Sequence, residues 1–166
     1  VMGQVEGKSA VILGAASPQV VVAQAASDSA EAVALLHSLR GRWEFTLTPH
    51  ESSRPTTSGV RVFSVLVAGH PSLTWTEEFD GTELILGGVL GYDASRSQFY
   101  EVGSPSTGPV DYWIGQLSED GREIAWIDPF DTDAPSRGAL RLLDPDVFEF
   151  TNPSFRVVFT RSGSGF

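Results

Sequence analysis

The chain has 166 residues, 41% hydrophobic and 19% charged, a balance that excludes intrinsic disorder and lets one domain build a core without metal or disulfide support. Eleven Lys and Arg against 21 Asp and Glu leave a formal charge of −10, which repels phosphate backbones and anionic membrane surfaces and argues against nucleic acid as a partner. Cysteine is absent, which removes thiol catalysis, thiolate metal sites and disulfides together.

Residues 1–28 differ from the rest. An apolar stretch from Ala10 to Ala25 is broken only by Ser17-Pro18-Gln19 and ends in Ala23-Gln24-Ala25, which fits the small-residue cleavage pattern of a secretory signal. Glu6 cancels the charge of Lys8, however, and Pro18 interrupts the apolar run, so a loosely docked arm of small residues is the competing reading. The first reading implies export, the second a cytoplasmic protein. No stretch reaches the roughly 20 continuous apolar residues of a membrane span.

Ser27-Asp28-Ser29 supplies capping side chains, and Val33, Leu36 and Leu39 follow at helical spacing until Gly41 ends the pattern, predicting an amphipathic helix of about three turns. From Trp43 onward, short β-branched and aromatic runs alternate with Gly, Pro, Asp and Ser clusters. Strands are predicted at Arg42–Thr48, Gly59–Ala68, Ser72–Phe79, Leu84–Tyr92, Gln98–Gly103, Val110–Leu117, Glu123–Asp128, Gly138–Leu143, Val147–Thr151 and Phe155–Arg161. Asp80-Gly81, Asp120-Gly121, Asp144-Pro145-Asp146 and Asn152-Pro153 punctuate them as tight turns. Two longer polar connections, Pro49 to Ser58 and Pro129 to Arg137, are predicted to flank a barrel mouth. With no second helix to serve as a crossover, the expected fold is all-β: a single antiparallel up-and-down barrel of about ten strands behind a short N-terminal helix. The barrel is expected over residues 29–162, with 1–28 as the arm and 163–166 as a flexible tail.

A short helix running into Leu39-Arg40-Gly41-Arg42-Trp43-Glu44 resembles the Gly-x-Trp entry of calycin barrels. With Gly88-Val89-Leu90-Gly91-Tyr92-Asp93, then Gly115 and Glu119-Asp120-Gly121, the chain is similar to the lipocalin-like bacterial family known as domain of unknown function fifteen seventy-nine, over about residues 30–161. These motifs are structural and inform fold far more than chemistry. Gly41 permits a close turn out of the helix, and Trp43, alternating with Phe45 and Leu47, can point inward and plug one end. The resemblance implies that Arg161, on the last strand, packs over that Trp as a closure contact.

Trp75, Tyr100, Tyr112, Trp113 and Trp126 lie mid-strand and are the candidate ligand-contacting aromatics of a lumen that can hold one small molecule. In Leu73-Thr74-Trp75-Thr76-Glu77-Glu78-Phe79, period two carries Glu77 inward with Leu73, Trp75 and Phe79. A carboxyl there could pair with Arg141 of the strand Leu140-Arg141-Leu142, or serve as a general acid or base; Glu77 and Tyr112 are thus the catalytic candidates. No cofactor or metal is expected. His37, His50 and His70 lack ligand-spaced partners, nothing after His70 could be a late proximal heme ligand, and Asp128, Asp131 and Asp133 lack the Gly and distant Glu of a calcium loop. The leading expectation is binding of a small hydrophobic or aromatic ligand in the lumen. The alternatives are a cofactor-free isomerase, cyclase or lyase, and an interaction subunit docking through its N-terminal arm; the expected state is monomer or homodimer.

Overall fold

In the computed structural model, which describes residues 18–106, 108–131, 133 and 136–163, a helix α1 (Pro18–Leu39) leads into β1 (Gly41–Pro49) and β2 (Thr57–Val65). These are followed by β3 (Ser72–Phe79), β4 (Ile85–Asp93), β5 (Gln98–Pro105), β6 (Asp111–Leu117), β7 (Glu123–Ile127), β8 (Ser136–Asp144), β9 (Val147–Thr151) and β10 (Phe155–Arg161). Among the described residues the ten strands form one closed barrel in which each pairs antiparallel with its sequence neighbours and β1 pairs with β10. This is the predicted fold class. The start of the signal-like segment and the end of the tail lie outside the described residues.

The helix is longer than its capping signal predicts. It runs 22 residues, back to Pro18. The physical reason is that Pro is tolerated in a first helical turn, where its missing N–H costs nothing, and the Ala-rich stretch behind it has high helix propensity. No helix among the described residues is long and apolar enough to cross a membrane.

Alternation along the strands sets the interior. In β1, Gly41, Trp43 and Phe45 are buried while Arg42, Glu44 and Thr46 are exposed. Ala32, Leu35, Leu36 and Leu39 of α1 are buried in the same cluster as Trp43, Phe63, Leu73, Tyr92, Phe99 and Phe148, so the helix lids the end of the barrel where β1 begins.

The lid is locked by two residues paired across β1 and β10, Trp43 and Arg161. Trp43 donates from Nε1 to the Leu39 carbonyl at 2.7 Å and meets Phe148 edge-on at 4.7 Å. The Arg161 guanidinium lies 4.1 Å from the Trp43 ring centroid and donates to the carbonyls of Arg40 (2.6 Å) and Ser38 (2.7 Å), with Asp146 Oδ1 at 2.8 Å. It thereby supplies partners to carbonyls that a helix C-terminus leaves unsatisfied. Lysine cannot reproduce that fork, so Arg161→Lys is expected to lower stability by about 1–3 kcal/mol in urea denaturation. An unchanged midpoint would show that the clamp is idle.

Candidate functional site

The up-and-down order sorts the connections by end. Residues 66–71, 94–97, 118–122 and 145–146 join α1 at the lidded end; 50–56, 80–84, 106, 108–110, 128–131, 133 and 152–154 surround the other. Both long polar loops predicted to flank a mouth are at that open end. Arg137 ties Asp128 and Asp131 together there at 2.7 and 3.0 Å, and Asp128 is held below the usual carboxylate range mainly by its hydrogen bond from Arg137.

Behind the mouth lies a cavity of about 300 Å³, within the size range of small-molecule sites. Its wall includes Trp75, Trp113, Trp126, Phe79, Phe150, Phe155 and Phe159, with Arg61, Glu77, Glu101 and Asp111 as its ionisable members. Glycines make room for the rings. A Cβ on Gly103 would stand 2.7 Å from Trp75 Cζ2, and one on Gly115 2.8 Å from Trp126 Cε3, so these indoles occupy space that any side chain there would take. Trp113 stacks nearly parallel on Phe150 at 6.1 Å. The indole N–H groups of Trp75 and Trp126 are buried without a hydrogen-bond partner among the described residues.

Arg61 and Glu77 are direct partners across β2 and β3, and Arg61 both hydrogen-bonds and ion-pairs with Glu77 Oε2. Their side chains are only 16% and 8% exposed. The guanidinium also lies 4.7 Å from the Trp75 ring, 5.0 Å from that of Phe159 and 5.8 Å from that of Phe63, so it is enclosed by one carboxylate and three aromatic rings. Glu101, on β5, faces the same space. Burial raises its carboxyl to about 7; Arg61 pulls the value down, and Glu77 and Asp111 push it up. Glu101 is half-buried and lines the cavity.

Of the candidates named from sequence, the structure brings Trp75, Glu77, Trp113 and Trp126 to the cavity wall. Three others face away. Leu140 points inward with 3% exposure, so its neighbour Arg141 projects outside, 3.7 Å from Asp120 and 3.5 Å from Glu123; the partner of Glu77 is therefore Arg61 and not Arg141. Tyr100 lies between inward-facing Phe99 and Glu101 and is carried to the outer wall. Tyr112 precedes inward-facing Trp113 and packs outside near Phe130, with ring centroids 6.0 Å apart. Adjacent strand residues point to opposite faces, so Tyr112 and Trp113 cannot both line one lumen. Arg61, Glu101 and Asp111 escaped the sequence reading. Their signal was alternation with residues already read as interior: Arg61 with Phe63, Glu101 with Phe99, Asp111 with Trp113.

These features define a closed antiparallel up-and-down β-barrel, lidded by a helix at one end and open to an aromatic cavity at the other. The chain is similar in structure to Rv2717c from M. tuberculosis, with a TM-score of 0.55 at 18% identity over 80% of this chain and 98% of that one, a likeness of fold alone. Two redesigned β-barrels also match. One, b11L5F_LGL, gives a TM-score of 0.44 at 14% identity over 78% of this chain and 96% of its own. The other, mFAP0 bound to DFHBI, gives 0.39 at 13% over 75% and 99%. No protein-family model and no curated protein matches the chain.

Proposed function

We propose that the protein is a lipocalin-like barrel that binds a small, largely apolar or aromatic molecule in its lumen. One observation carries this reading: the cavity of about 300 Å³ is walled by aromatic rings, opens at the unlidded end, and retains buried polar groups without partners. A filled core would leave no such space. On this reading Trp75, Trp113 and Trp126 contact the ligand, Glu77 and Arg61 shape its polar side, and Gly41, Trp43 and Arg161 serve closure. Residues 29–162 form the binding unit, with residues 1–28 as an appendage.

Titration with a neutral aromatic such as 2-naphthol, followed by tryptophan emission and calorimetry, tests it. Saturable one-to-one binding is expected, weakened severalfold by Trp113→Ala and unchanged by Tyr112→Ala, which removes the neighbouring ring from the outer wall. Equal losses in the two variants, or no saturation, would reject a lumenal site.

A second reading, cofactor-free proton transfer, is favoured by Glu101, whose carboxyl at about 7 suits a group that must gain and lose a proton near neutrality. Glu77 is engaged by Arg61 and Tyr112 is outside, so the role falls to Glu101. A catalyst loses turnover of a bound compound in Glu101→Gln, whereas a binder loses only affinity.

A further inference from the structure

The ionisable groups of the cavity are unequal in sign. Arg61 from β2, Glu77 from β3, Glu101 from β5 and Asp111 from β6 all face it. Arg61 is its single cation among the described residues and is already enclosed by Glu77, Trp75 and Phe159. Glu101 and Asp111 are left over: among the described residues neither carboxyl is in a side-chain hydrogen bond or a salt bridge, and Arg61 reaches Glu101 only through its longer-range charge.

Strand register places these two carboxyls together. Glu101 is the cross-strand partner of Trp113, and Asp111 of Gly103, so both lie on the β5–β6 wall, Asp111 one inward-facing step nearer the mouth. Opposed residues in an antiparallel pair stand about 5 Å apart, which puts the Trp113 indole beside Glu101. An anionic ligand would meet two carboxyls without a direct hydrogen-bond or salt-bridge partner and no free cation among the described residues. A neutral apolar ligand would cover Glu101 and leave it without a partner, at the desolvation cost of a buried polar group. A cation with an aromatic body satisfies both parts of the wall, pairing with the carboxyls and gaining from the faces of Trp113 and Trp75.

We propose that the cavity is selective for a monocationic arylalkyl amine, its ammonium group held by Glu101 and Asp111 and its ring among Trp113, Phe150 and Trp75. This rests on the binding reading given above and names its ligand class. The formal charge of −10 acts in the same direction at long range, drawing cations toward the protein. Burial keeps Glu101 protonated up to about pH 7, and the groups facing it are Arg61, Glu77 and Asp111. Affinity for an amine therefore rises as pH passes from 5.5 to 8 and Glu101 acquires its charge.

Calorimetric titration with 2-(1-naphthyl)ethylamine, 2-(1-naphthyl)ethanol and 1-naphthylacetate compares three probes that share a ring system and differ in charge. At pH 8 the amine is expected to bind about tenfold more tightly than the alcohol, or more, and the carboxylate most weakly. In Glu101→Gln/Asp111→Asn the amine is expected to fall to the affinity of the alcohol, whose own retained binding reports that the variant is folded. The amine's preference is expected to shrink at pH 5.5 in the natural sequence and not in Glu101→Gln. Equal binding of amine and alcohol, or a preference that survives in the double variant, overturns the cation assignment while leaving the binding reading intact. Failure of all three probes to saturate overturns both.

Discussion

Replacing Arg61 with Met is expected to destabilise the barrel by about 3–5 kcal/mol, roughly 6–20 °C in melting temperature for a domain of this size. The loss comes from what the substitution leaves behind. Glu77 is 8% exposed and its charge-assisted hydrogen bonds come from Arg61, so without it a carboxylate is held in an aromatic enclosure with Glu101 nearby. Arg61→Met/Glu77→Met removes both charges and is expected to recover most of the loss. Scanning calorimetry of the single and double variants at pH 7.5 checks both statements. A single variant as stable as the natural sequence at pH 7.5 would mean that the pair is solvated and not enclosed.

Glu101 gives the second large effect, with the opposite sign. Its carboxyl titrates at about 7 in the folded barrel against an ordinary value of 4.5. Between those two values the folded state holds a proton that the unfolded chain has released, so stability falls as pH rises through this window and levels off above 7. The difference corresponds to about 3 kcal/mol. Glu101→Gln keeps the neutral shape and cannot ionise. Its melting temperature should match the natural protein near pH 4.5 and exceed it by several degrees at pH 8. Measuring the two proteins side by side cancels the pH dependence of every other group. A gap that is constant with pH would place Glu101 in contact with bulk water.

Much of the scaffold was legible in the sequence because it depends on local signals. Strand rhythm and Asp-Gly turns are properties of contiguous residues, and the two long polar loops lie at one end because an up-and-down order alternates ends. The polar half of the cavity depends on which residues oppose each other across strands. The partner of Glu77 illustrates this. Arg141 sits in an apolar run and looked buried, yet Leu140 takes the inward position and the pairing Arg61 with Glu77 follows only from the register of β2 on β3. Tyr112 and Trp113 show the same limit, since aromatic character marks both while alternation allows only one inside. The helix start at Pro18 was missed because proline reads as a break in an apolar run and equally as the start of a helix.

The seam between β1 and β10 governs how the barrel comes into being. Its register joins Trp43 to Arg161, residues near opposite ends of the described chain, whereas the other seams join neighbours in sequence. Hairpins can therefore accumulate one after another during synthesis, but closure must wait for Phe155–Arg161. Until then β1 and β9 present unpaired edges, the geometry most prone to capture another chain. Such long-range pairing also places folding toward the slow end for a domain of this size. The Arg161 clamp is thus the contact that ends the vulnerable interval, and variants that weaken it should aggregate during folding more than their loss of equilibrium stability alone would suggest.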